Sequence, residues 1–160
     1  MIRRFAFRLE AVLRHRVRLE EVRERELAEI QAALVLEKQR LGDLLGLRAD
    51  ILQELAGRQE GALEVGDRAL YQEYLDWLAL EQERERRLIG DLEALHESKR
   101  QELVKASQEV KVVERLKERR LTEWRGEAGA AEQAQLDEIA GQGWLLALAP
   151  GSPLTPRGDG

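Results

Sequence analysis

The stretch LAEIQAALVLEKQRLGDLLGLRADILQEL, residues 27–55, decides the fold. Within it Leu27, Ile30, Leu34, Glu37, Leu41, Leu44, Arg48, Ile51 and Leu55 recur at alternating spacings of three and four residues. This is a heptad seam, apolar except at Glu37 and Arg48, and it draws one stripe along one side of an α-helix. Toward the N-terminus Leu9, Val12 and Leu13 begin the same stripe, so the pattern predicts helix 1 over about residues 7–56. At 1.5 Å per residue such a helix is roughly 75 Å long, too long for a compact globule.

Beyond this stretch Gly57, Gly61 and Gly66 fall within ten residues, and Asp67 follows as a candidate N-cap, which predicts a turn over 57–67. A second apolar series then runs through Tyr71, Tyr74, Leu78, Leu88, Leu92, Leu95, Leu103, Ala106, Val110, Val113 and Trp124. A slip between Leu95 and Leu103 resembles a stutter, and helix 2 is expected over about 68–125. Two helices of matched length on a short linker bury both stripes by folding back on each other. The expected fold is therefore all-α, an antiparallel two-helix coiled-coil hairpin over residues 1–140 with a short helical or disordered C-terminal tail. Gly42, Gly46 and Gly90 cost about 1 kcal/mol each against alanine and predict local softness rather than breaks.

After Arg125 the composition shifts to Gly126, Gly129 and alanine, followed by a short amphipathic segment over 130–140 that contains Leu136, Asp137, Glu138, Ile139 and Ala140. Residues 141–160 are expected to form a flexible tail. Trp144, Leu145, Leu146 and Leu148 are apolar within it, and either pack back on the hairpin or bind something else.

Composition agrees with long helices, since 36% of the 160 residues are charged, 4% are aromatic and only three are proline. The absence of cysteine excludes disulfide frameworks, thiolate zinc sites and thiol catalysis, and suits a reducing compartment such as the cytoplasm. No apolar run has the length of a signal peptide core or a membrane span, so no direct membrane insertion is expected. The net charge of −5 is unevenly distributed. Residues 1–18 carry six Arg against one acid, and residues 111–125 carry six Lys or Arg against three acids, while the middle of the chain is acidic. A hairpin would join the two basic segments as one basic open end on an acidic shaft. Such an end suits an acidic protein surface, nucleic acid or plain solvent. Nucleic acid is disfavoured by the net negative charge and by the scarcity of aromatics beside the arginines, Phe5 and Phe7 aside.

Signals for catalysis are missing. No Gly-rich phosphate loop follows a strand, His15 and His96 lack metal-ligand spacing, and adjacent acids such as Glu20 and Glu21 are common in any chain this charged. No cofactor, no metal and no enzymatic activity are expected.

Two stretches are more specific than generic coiled coil. The first is FAFRLEAVLRHR, residues 5–16, followed by Glu20, Glu21 and Glu26-Leu27-Ala28. The second is KVVERLKERR, residues 111–120, followed by Glu132, Gln133 and LDEIA at 136–140. In this order, and at these distances from a central turn, they resemble the flagellar FliJ family over roughly residues 1–140. The Gly-rich sequence after Arg125 and the apolar run from Trp144 to Ala149 depart from the family pattern.

The resemblance implies a component of the flagellar type III export apparatus, located in the cytoplasm and peripherally associated with the inner membrane at the flagellar base. It further implies binding to the hexameric flagellar export ATPase as a central-stalk-like rod, with contacts to the cytoplasmic part of the membrane export gate protein and to export chaperones. Carried onto this chain, the ATPase-binding residues would be Phe5, Phe7, Leu9, Leu13, Arg16, Glu114, Arg115, Leu116, Lys117, Arg119, Arg120, Asp137 and Glu138. The gate-binding residues would be Tyr71, Tyr74, Leu75 and Leu78, although aromatics at that spacing also suit the hairpin's own seam. The alternative is a general chaperone or coiled-coil adaptor for secretion substrates with no stalk role.

Overall fold

Leu, Ala, Glu, Arg and Gln dominate both halves of the sequence, and these are the residues that lose least on entering a helix. The computed structural model describes residues 3–58 and 64–148, and two helices take up nearly all of them. Helix α1 spans Glu10–Arg58 and helix α2 spans Val65–Leu148. Acids in the first turns, Glu10 and Asp67, and Arg58 in the last turn of α1 complement the helix dipoles. The chain divides into two units, Glu10–Val113 and the combination of Met1–Leu9 with Glu114–Gly160.

Helix 1 starts at Glu10 rather than near Phe7, with residues 3–7 outside any helix and a turn at Arg8 and Leu9. Asp67 is not the N-cap of α2. It lies inside the first turn, where its backbone N–H and that of Arg68 donate to the Glu64 carbonyl at 3.1 and 3.3 Å. Of the expected turn, residues 59–63 lie outside the described residues, as do residues 149–160 of the expected tail. Helix α2 does not end near 125. It continues through Gly126, Gly129 and Gly141 to Leu148, so the separate 130–140 segment is part of the same helix. Gly42, Gly46 and Gly90 are likewise helical, and a Cβ added at any of them meets nothing within 4 Å.

In the Glu10–Val113 unit the helices pack antiparallel. The sequence separation of paired side chains falls along the unit, from 93 for Arg16 with Glu109, to 73 for Lys99 with Glu26, to 38 for Gln82 with the Leu44 carbonyl. The α1 seam follows the heptad pattern. Leu34 and Glu37 are buried and Leu27, Ile30, Leu41, Leu44, Ile51 and Leu55 are half-buried, while Arg48 is exposed.

The α2 seam departs from the apolar series in a specific way. Its covered positions are Tyr71, Leu75, Leu78, Gln82, Glu85, Ile89, Leu92, His96, Lys99, Leu103, Ala106, Val110 and Val113. These alternate spacings of four and three without interruption, so there is no stutter. Leu88 and Leu95, which produced the slip, are 42% and 44% exposed. The seam instead accepts four polar side chains: three stay hydrogen-bonded or reach the rim, while Glu85 keeps Oε1 buried without a partner. Gln82, almost fully buried, donates from Nε2 to the Leu44 carbonyl at 3.4 Å. Lys99 Nζ donates to Glu102 and Glu26 at 3.2 and 3.3 Å, which raises its pKa.

Ion pairs flank the seam across the helices: Arg16 with Glu109 at 2.7 Å, Arg23 with Glu102 at 3.3 Å and Lys38 with Glu93 at 3.4 Å. Partly exposed pairs of this kind contribute about 0.2–1 kcal/mol each. Their main effect is on register, since a one-heptad slip would separate all of them. Glu26 accepts from Arg23 and Lys99, and its pKa is lowered accordingly. Glu97, held by Arg100 along the helix, is lowered to about 2.

Candidate functional site

In the unit formed by Met1–Leu9 and Glu114–Gly160, the non-helical N-terminal segment lies against α2. The Phe5 ring meets Trp124 with centroids 6.0 Å apart and planes tilted by 58°, an edge-biased arrangement favourable for aromatic quadrupoles. Phe7, Leu9 and Leu116 are half-buried around this pair. A cleft of about 620 Å³ opens here, lined by Phe5, Phe7 and Leu9 on one side and Leu116, Arg120 and Trp124 on the other. Charged side chains line it as well: Arg8, Arg120, Glu123 and Glu127 border it, and Arg120 reaches Glu123 at 3.4 Å.

Among the ATPase-facing residues expected from sequence, Phe5, Phe7, Leu9, Leu116 and Arg120 are thus brought together by the fold. Glu114, Arg115 and Arg119 are exposed on the same helix and Lys117 is half-buried. Leu13 and Arg16 belong elsewhere. Leu13 is buried with 8% exposure and Arg16 is engaged with Glu109, so both are occupied within the Glu10–Val113 unit. Asp137 and Glu138 are exposed but do not line the cleft.

The gate-facing set divides too. Leu78 is fully buried between the helices, and Tyr71 and Leu75 are half-buried seam residues. Tyr71 also lies under the Arg58 guanidinium at 6.0 Å. Only Tyr74 faces outward. It stacks on Trp77, whose ring centroid is 5.7 Å away at an interplanar angle of 22°, and with Leu70 they form an exposed ridge one helical turn apart. Leu70 and Trp77 were not legible as surface residues from apolarity alone. The signal that identifies them is phase, since each precedes a seam position, Tyr71 or Leu78, by one residue.

Of the two histidines, His15 is exposed and His96 half-buried in the seam. Among the described residues no group of three or more His, Cys, Asp or Glu could hold a metal ion, and no helix is long and apolar enough to cross a membrane.

Comparison with known proteins gives a match to one family, described as flagellar FliJ protein, over residues 5–148. No curated protein and no solved structure matches the chain. The family match covers both helices, the Phe5–Trp124 pair and the cleft, and extends to residues 141–148, beyond the roughly 1–140 over which the resemblance runs. By this match the chain belongs to the flagellar FliJ family, and it is a component of the flagellar protein export apparatus.

Proposed function

We propose that the chain binds the hexameric flagellar export ATPase as a central-stalk-like rod, promotes its assembly and hydrolysis, and connects it to the cytoplasmic part of the export gate and to export chaperones. It would do so on the cytoplasmic side, as a peripheral partner of the inner membrane, without catalytic residues of its own. The observation that carries the reading is the cleft of Phe5, Phe7, Leu9, Leu116, Arg120 and Trp124. A cleft with apolar side chains on both walls can seat a projecting side chain, and the exposed arginines beside it can be guided to an acidic ring by long-range attraction. Arg3, Arg4, Arg8, Arg115, Arg119 and Arg125 are exposed in the same unit and extend that field.

The test mixes the chain with the ATPase and follows hexamer formation and hydrolysis rate. A saturating excess that changes neither would remove the stalk reading. The double substitution Arg115→Glu with Arg119→Glu, both at exposed positions, is expected to leave the hairpin's stability nearly unchanged. It should weaken association by about tenfold or more and flatten its salt dependence. Equal affinity for parent and variant at low salt would show that the basic surface is not where the ATPase docks.

Contact with the gate rests on the exposed Tyr74–Trp77 stack rather than on Leu78. Tyr74→Ala with Trp77→Ala should reduce binding of the gate's cytoplasmic part by about tenfold or more, the scale of paired aromatic hot spots. ATPase stimulation should be unaffected. Loss of both activities together would mean that the ridge supports the fold rather than a partner.

A further inference from the structure

Past Arg125, α2 continues from Gly126 to Leu148, and every residue of this run is exposed. Four of its residues are acidic, Glu127, Glu132, Asp137 and Glu138, and none is Lys or Arg. At about 3.6 residues per turn, Leu136, Ile139, Ala140, Gly143, Leu146 and Ala147 fall on one face. Trp144 borders that face. The large members are far more exposed than seam residues, with Ile139 at 65%, Trp144 at 70% and Leu146 at 78%. The middle of the face is small, at Ala140, Gly143 and Ala147, so a second helix could approach closely between the larger side chains.

The run is also costly as an unaccompanied helix. Gly126, Gly129, Gly141 and Gly143 each disfavour it by about 1 kcal/mol relative to alanine. Helices without a packed face are marginal in water, so a partner on this face supplies what propensity lacks.

We propose that this run of α2 docks a basic amphipathic helix of another protein. The partner's apolar ridge would lie on the Leu136, Ile139 and Leu146 face, with its Lys and Arg side chains toward Glu132, in line with that face, and Asp137, at its edge. Charge selects this occupant over the other two available. A second copy docking through its own Gly126–Leu148 run would bring four more carboxylates and no cation to the interface, and an anionic membrane surface would repel the same groups. The proposal is separate from the ATPase reading, since none of the large apolar residues of this face lines the Phe5–Trp124 cleft.

The experiment titrates the full chain with a synthetic helix of about 20 residues built from Leu and Lys in an amphipathic pattern. Trp144 emission is isolated by subtracting the signal of a Trp144→Phe variant. The parent should bind with a blue shift of Trp144. Ile139→Asp with Leu146→Asp should weaken binding by about tenfold or more. These substitutions add negative charge, so attraction to the acidic chain alone would become stronger, and only seating on the apolar face predicts a loss. The proposal is overturned by unchanged or tighter binding in the variant, or by equal binding of a Leu/Glu peptide. It is equally overturned by the same blue shift on phosphatidylglycerol vesicles, or by a parent dimer in sedimentation that the variant lacks.

Discussion

Leu78→Ala should lower the stability of the hairpin by about 2–4 kcal/mol, the largest loss expected from any single truncation in the chain. Leu78 has no exposed surface, whereas the other apolar residues of the core, Leu13, Leu34, Ile89, Ala106 and Val110, retain a few per cent each. A two-helix seam has only two walls, so a side chain completely covered within it is held by neighbours along both helices. Removing it leaves a void that those neighbours cannot easily fill. Position also matters. Leu78 is the last apolar member of the α2 seam before Gln82 and Glu85, so its loss would leave the seam polar or empty from Gln82 back toward Leu75. Thermal and urea unfolding followed by circular dichroism would measure the effect, with a midpoint lower by roughly 10 °C. A shift of only a degree or two would mean that this part of the seam contributes little. The same substitution separates packing from recognition, because a merely surface-exposed gate contact would leave the melting curve unchanged.

Glu85→Gln should act in the opposite direction and stabilise the hairpin near neutral pH. Glu85 Oε1 is buried without a hydrogen-bond donor, and the neighbouring carboxylate is Glu37, itself only 9% exposed. Glu37 receives Arg40 Nη1 at 3.2 and 3.3 Å, which leaves Glu85 as the partner without a cation of its own. Hydrogen bonding to Glu37 and burial, together with repulsion from Glu37 and Glu81 and only partly relieved by Arg40, raise the Glu85 pKa above its ordinary 4.5. A carboxyl whose pKa is higher in the folded state binds more protons folded than unfolded. Its contribution is therefore most favourable below 4.5 and declines as pH rises through the folded value.

Glutamine supplies an N–H donor toward Glu37 and does not ionise, so the variant should exceed the parent by about 1 kcal/mol near neutral pH. At about pH 4, where Glu85 is largely protonated in either state, the two should be nearly equal. Glu26 and Glu97 work with the opposite sign, because their lowered pKa values give stability that is present above 4.5 and lost as the medium becomes acid. That loss is common to parent and variant and cancels in the difference between them. Urea titrations of both proteins at the two pH values would decide the matter. A difference independent of pH would assign the effect to packing rather than to the ionisation of Glu85.

Why the seam keeps Gln82 at all has a physical explanation in register. An all-leucine seam between two long helices tolerates shifts of a whole heptad, since every apolar layer resembles the next. Gln82 reaches the Leu44 carbonyl in one alignment only. Together with the Arg16–Glu109 and Lys99–Glu26 pairs it fixes the alignment at a cost in stability. The two predictions thus probe opposite components of one seam, the apolar layer that holds it and the polar layer that aligns it.

The candidate site was partly legible. Phe5, Phe7 and Leu9 could be singled out as apolar residues in an arginine-rich segment, and Leu116 and Arg120 as members of the second signature stretch. Their convergence on Trp124 could not be read, because residues 3–7 leave the helix and nothing in the heptad pattern states where a non-helical segment lies. Leu13 and Leu78 illustrate the converse. Both are apolar residues that a recognition reading and a packing reading claim equally, and only burial separates the two.

By itself the sequence determined that the chain forms two long helices, that α1 carries its stripe on the heptad running from Leu27 to Leu55, and that the helices return on each other. Those features follow from local propensity and from periodicity, which are properties of neighbouring residues. The tertiary structure alone decided the phase of the second stripe. Leu88 and Leu95 are more hydrophobic than Gln82, Glu85, His96 and Lys99, yet the polar residues are the covered ones. Which face of a helix is buried depends on what the opposite helix presents, and Glu26 and the Leu44 carbonyl offer partners to polar groups. The continuation of α2 to Leu148 was also decided there, against four glycines whose unfavourable local preference totals only a few kcal/mol in a helix already nucleated far upstream.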